Sequence, residues 1–103
     1  MKIINLTGVP TTPEQADLGV IDPPANKAEF VQKMLNPIEL PHPGEIGSRA
    51  RGIAAVMHSY DKATTGALIG GQPAYINARL EDALVVAGYP TFYMFNASSL
   101  LEI

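Results

Sequence analysis

Apolar positions along the chain alternate between two periods. Lys2-Ile3-Ile4-Asn5-Leu6 is a short β-branched run that stops at Thr7-Gly8-Val9-Pro10, which predicts a first strand ending in a loop. Thr12-Pro13-Glu14-Gln15 then sets a capping hydroxyl before a proline at the first helical position, and Gly19 ends the turn or two that follow. Val20-Ile21, closed by Asp22-Pro23-Pro24, reads as a brief second strand. Asn26 opens a helix with Ala28, Phe30, Val31, Met34 and Leu35 on its apolar stripe, ended by Asn36-Pro37. Residues from Pro37 to Gly44 form a proline-stiffened connection.

The clearest helical period follows. Ile46, Ala50, Ile53, Ala54 and Met57 line one face, with Ser48, Arg49 and Arg51 turned away from it. Thr64 to Ile69 is a continuous apolar strand of the kind buried on both faces. Beyond Gly70-Gly71 a second amphipathic helix carries Ile76, Leu80, Ala83, Leu84 and Ala87, and Gly88 is placed to end it. Thr91 to Phe95 gives the last core strand. Asn96 to Ser99 is a polar turn, and Leu100 to Ile103 reads as a short edge strand. Strands alternating with helices predict a small Rossmann-like α/β fold, in which three or four mostly parallel strands are flanked by helices within a single domain over residues 1–103.

Composition narrows what such a domain can do. The chain has no cysteine, which removes disulfides, thiolate nucleophiles and cysteine-bound zinc. Ten acidic against seven basic residues give a net charge of −3, and only Arg49 and Arg51 pair up, so long duplex nucleic acid is a poor partner. No apolar run reaches the length of a membrane span and no signal segment opens the chain, so a cytoplasmic location is expected. No pair of histidines stands at metal-ligand spacing, and neither a metal nor a cofactor is expected.

Ligands of open parallel sheets sit beyond the carboxyl ends of the strands. Here those ends are Thr7-Gly8, Gly70-Gly71-Gln72 and Asn96 to Ser98. The glycine pair allows close backbone approach, and the helix that follows favours an anion. A tight strand-to-helix turn explains the same glycines without a ligand. Among titratable residues, His42 in its proline-flanked loop is a candidate acid or base; Arg49 and Arg51 are candidate phosphate ligands, and a solvated helix face explains them equally well. His58 suits a helix end, and the Glu81-Asp82 pair an outer helix face.

Two stretches resemble small CRISPR-associated accessory proteins of the CARF-like (CRISPR-associated Rossmann fold) group, which includes ring nucleases. They are Ile3 to Gly8 with Thr12-Pro13-Glu14-Gln15, and Ala67 to Gly71 with Gly88 and Tyr93 to Ser98. The resemblance implies a homodimer that binds a cyclic oligoadenylate across its twofold axis. It further implies metal-independent cleavage by attack of a ribose 2′-hydroxyl on the neighbouring phosphate. By position, Thr7 and Gly8 would line the pocket, Gly70, Gly71 and Gln72 would cradle phosphate, and Asn96 and Ser98 would meet ribose or base. No strand end carries a clear catalytic cation, so the catalytic residue is unassigned, with His42 and Arg49 as the candidates. Two alternatives stand beside this reading. One is a nucleotide-binding protein without catalysis, and the other a protein-interaction module presenting Tyr75, Tyr89 and Tyr93, in a defence or phage system.

Overall fold

The computed structural model describes residues 1–70 and 73–103. In chain order the elements are β1 (Lys2–Asn5), α1 (Pro13–Asp17), β2 (Val20–Ile21), α2 (Ala25–Leu35), α3 (Pro43–Ala54), β3 (Thr65–Leu68), α4 (Ala74–Ala87), β4 (Thr91–Asn96) and β5 (Ser99–Glu102). The sheet has five strands in the order β2-β1-β3-β4-β5, because the two-residue β2 and the C-terminal β5 both join it. The first four strands run parallel, and β5 returns antiparallel to β4.

Local signals set several of these boundaries. Thr12 closes a capping box on α1: its hydroxyl accepts from the Gln15 amide at 3.2 Å, and the Gln15 side chain accepts from the Thr12 amide at 3.0 Å. The third helix begins at Pro43, inside the stretch expected to be a stiff connection. Proline is compatible with a first helical position, where its missing N–H leaves no bond unmade. The same helix ends at Ala54, and residues Ala55–Ser59 tighten into a 3₁₀ turn that holds Met57 and His58. Gly88, at φ +89°, ends α4 as its position predicts.

Alternation along the strands divides the core in two. Ile4, Leu6, Ala67 and Ile69 point to the side where α2, α3 and α4 pack, against Val31, Leu35, Ile53, Met57, Ile76, Leu80 and Leu84, all essentially inaccessible to solvent. Each such side chain contributes roughly 1.5–3 kcal/mol by leaving water, so this layer dominates stability. On the opposite face Ile3, Val20 and Leu68 form a smaller cluster with Phe92, Met94 and Leu100. The helices are thus unevenly distributed, and the five-residue α1 buries none of its residues fully.

Sheet order decides where ligands can reach. From β1 the chain moves outward through α1 to β2, then crosses back to place β3 on the other side of β1. Strand order therefore reverses at β1, and the loops leaving the carboxyl ends of β1, β2, β3 and β4 share one edge of the sheet.

Candidate functional site

The loop after β1 is organised by one buried amide. Asn5, 3% exposed, ends the strand with its side chain in the loop rather than in a sheet ladder. Its Nδ2 donates to the Val9 carbonyl at 2.7 Å, the Thr11 hydroxyl at 3.1 Å and Asp22 Oδ1 at 3.0 Å. Its Oδ1 accepts from the Thr7 amide at 2.9 Å and the Thr7 hydroxyl at 2.6 Å. A buried amide satisfied on both ends fixes the path of everything it touches. Asp22 Oδ1 also accepts from the amide and hydroxyl of Thr11, at 3.1 and 2.8 Å. The turn from residues 7 to 11 is thereby tied to the end of β2.

Gly8 sits in that turn at φ +83°, and a Cβ there would meet Leu35 Cδ1 at 2.8 Å. Both the backbone conformation and the closeness of α2 call for glycine. Between this turn, the end of β2 and α2 lies a cavity of about 510 Å³, lined among others by Asn5, Gly8, Pro10, Asp22, Glu29 and Gln32. Its size suits a small-molecule site. Among the described residues its polar lining consists of amides and carboxylates, without a lysine, arginine or histidine.

A second cavity, of about 420 Å³, lies at the ends of β3 and β4 against α4, lined by Gly70, Ala74, Asn77, Ala78, Glu81, Asp82 and Tyr93. Gly70 takes φ +112°, and a Cβ there would meet the Tyr93 ring at 2.8 Å. Its amide donates to Asn77 Oδ1 at 3.3 Å. The Tyr93 hydroxyl donates to Glu81 Oε1 at 2.9 Å. Burial, then that bond to a carboxylate and the carboxylate's charge, push the phenol from its ordinary 10.0 up to about 12. Glu81 is therefore drawn inward to β4 rather than lying on a free outer face.

Comparison with known proteins finds no matching family model, no matching curated protein and no matching solved structure.

The residues singled out in the sequence are distributed as follows. Gly8 and Gly70 share the sheet edge but line separate cavities, with no lining residue in common among the described residues. Thr7 stands in the first turn with its hydroxyl on Asn5. Gly71 and Gln72 lie outside the described residues. Asn96 and Ser98 form the β4–β5 hairpin turn, where Asn96 Oδ1 accepts from the Ser98 amide at 3.0 Å and from the hydroxyls of Ser98 and Ser99 at 3.3 and 2.8 Å. Neither lines either cavity.

Arg49 is engaged in the fold. Its Nε and Nη2 donate to Glu45 at 3.2 and 3.1 Å, and its Nη1 donates to the carbonyls of Lys33 and Met34, at 3.2 Å each, at the end of α2. With 19% of its side chain exposed, it clamps α2 to α3 instead of sitting on a solvated helix face. His42 is exposed before Pro43, and its carbonyl accepts from the Ile46 amide at 3.0 Å. Tyr89 belongs to the core, its hydroxyl donating to the Met57 carbonyl at 2.7 Å, and Tyr93 is engaged with Glu81. Of the three tyrosines expected at an interface, Tyr75 is the exposed one. Among the described residues no group of three histidines or carboxylates is placed to hold a metal ion, and no helix is long and apolar enough to cross a membrane.

Asn5, Asp22, Glu29 and Gln32 line the larger cavity without having stood out in the sequence. Asp22 carried a usable signal: an acid directly after the second strand of a β-α-β unit whose first turn holds a glycine.

Proposed function

We propose that this chain is a nucleotide-binding protein whose ligand is a cyclic oligoadenylate, with one adenosine seated in the cavity beside Asp22. The ligand class rests on the resemblance of Ile3 to Gly8 and Ala67 to Gly71 to CARF-like proteins; the observation that carries a nucleoside site is the position of Asp22, at the end of β2 and facing a cavity opposite the glycine turn after β1. In dinucleotide-binding α/β folds an acid at that place accepts hydrogen bonds from ribose hydroxyls. Oδ1 of Asp22 is taken by Asn5 and Thr11, while Oδ2 has no hydrogen bond among the described residues. Val9, Pro10, Pro23 and Val31 supply apolar surface for a base.

Electrostatics supports a nucleoside inside the cavity and phosphate outside it. Asp22 and Glu29 repel an anion, and among the described residues no cationic side chain lines the walls. The phosphates therefore face outward along the shared edge, where the amino end of the 14-residue α4 offers a partial positive charge. Arg49 is held by Glu45 and the end of α2, which favours binding over cleavage.

Calorimetry with adenosine, cyclic tetra-adenylate and cyclic hexa-adenylate tests this, followed by chromatography of the recovered ligand. Binding is expected to fall at least tenfold in Asp22→Asn, which retains an oxygen for the loop but offers ribose a donor where it needs an acceptor. A 2′-deoxy ligand should lose the same factor, and the two changes together little more. Intact recovered ligand assigns binding alone, and linear product adds ring cleavage. Absence of heat with all three ligands overturns the reading.

One observation favours a protein-interaction module instead. In the loop between α2 and α3, Ile38 and Leu40 are almost fully exposed. A fixed protein partner, indifference to nucleotides and loss of that partner in Ile38→Ser would establish it.

A further inference from the structure

We infer that β5 is a self-pairing edge, through which two copies of this chain join their sheets about a twofold axis at Leu101. The direction of the β5 backbone carries the inference. The Ile103 amide donates to the Thr91 carbonyl at 2.9 Å, and Tyr93 lies opposite Leu101. The hydrogen-bonded pairs of the hairpin are therefore Thr91 with Ile103 and Tyr93 with Leu101. By alternation, the amide and carbonyl groups of Leu100 and Glu102 point away from β4, and β5 is the last strand of the sheet.

That outward row is complementary to itself. Placed antiparallel about Leu101, Leu100 of one copy exchanges two hydrogen bonds with Glu102 of the other, and the symmetry repeats the pair. The two Leu101 side chains then meet at the close, non-hydrogen-bonded position. Charge permits the arrangement. Glu102 is the one charged residue of β5, and it faces Leu100 across the axis rather than another carboxylate.

The side chains that would be covered are already apolar and exposed. Leu101 and Ile103 lie on one face of β5, 55% and 50% exposed. β5 has neither the lysine nor the proline that commonly keeps an edge from pairing. The opposite edge, β2, has two residues and offers no comparable row, so sheet extension closes at two copies instead of growing into a filament.

This axis also separates the two nucleotide cavities, on the reading given above. The two β1 strands would stand seven strand spacings apart, roughly 34 Å. Each chain would then hold its own ligand, rather than one ligand bridging the axis.

Light scattering on the eluting full chain, without nucleotide, tests the inference independently of the ligand. The expected mass is twice the 11.0 kDa of one chain. Leu101→Lys sets two ammonium groups face to face on the axis, and Glu102→Pro removes an outward amide without touching the β4 ladder. Each should elute at the single-chain mass with an unchanged circular dichroism spectrum. Should either variant fail to fold, amide exchange in the unmodified chain supplies the same answer: the amides of Leu100 and Glu102 should be protected in concentrated samples and exposed on dilution. A single-chain mass at millimolar concentration overturns the inference. So does a dimer that survives both substitutions, or one in which those two amides exchange freely.

Discussion

The side-chain amide of Asn5 donates to Oδ1 of Asp22 at 3.0 Å, bridging 17 positions of sequence and joining the end of β1 to the end of β2. The same amide holds Thr7, Val9 and Thr11, so a single buried residue sets the shape of the turn that walls the larger cavity. Substituting Asn5 by Ala leaves several of these partners unsatisfied at once. The expected cost is about 2–3 kcal/mol in a urea titration, with nucleotide binding lost beyond what instability explains. A change below half a kilocalorie would show that the loop holds its shape without Asn5.

Two glycines should respond to alanine with opposite signs. Gly8→Ala places a Cβ at 2.8 Å from Leu35 in a left-handed backbone, and the strain and overpacking together should cost about 2–4 kcal/mol. Gly44 lies in the first turn of α3, where an added methyl group would meet nothing within 4 Å, and Gly44→Ala should gain about 0.5 kcal/mol. Thermal melts of the two variants beside the parent check both signs.

The clamp at Arg49 predicts a stability effect without a binding effect. Arg49→Ala removes charge-assisted bonds to the carbonyls of Lys33 and Met34 and the ion pair with Glu45, at a cost of about 1–3 kcal/mol. Nucleotide affinity measured well below the melting temperature should stay within twofold of the parent. A tenfold loss of affinity would make Arg49 a ligand contact after all.

Alkaline stability should carry the mark of Tyr93. Its phenol is raised to about 12 in the folded chain against an ordinary 10.0, so the folded state keeps a proton that the unfolded state gives up. The associated stability is complete below pH 10.0 and is lost as pH rises toward about 12. Denaturation midpoints across that window should fall more steeply for the parent than for Tyr93→Phe. Parallel slopes would contradict the Tyr93–Glu81 assignment.

Much of the scaffold is legible in the sequence because period and punctuation agree. The β3 run is apolar at nearly every position and is buried at every position, while the α4 stripe and Gly88 mark a helix with its stop. Less legible is whatever depends on long-range partners. Arg49 reads as a solvated residue because its acceptors, Lys33 and Met34, belong to another helix. Tyr89 reads as an interface residue because its acceptor, Met57, lies 32 positions away. The carboxyl-end rule points to one edge of the sheet, where both cavities open. It does not tell that Gly8 and Gly70 line two cavities, since that depends on how close α2 and α4 come to each strand end. Asn5 escapes notice for a related reason: a polar residue closing a strand looks like the start of a loop until its five bonds are seen together.

The most direct measurement is an amide chemical-shift titration of the full chain with adenosine and then with cyclic tetra-adenylate. Saturable shifts are predicted at Gly8, Val9, Asp22, Ala25 and Gln32 with adenosine, extended by cyclic tetra-adenylate to the first turn of α4. Shifts confined to the cavity around Gly70 and Tyr93, or none at either site, would contradict the placement of a nucleoside beside Asp22.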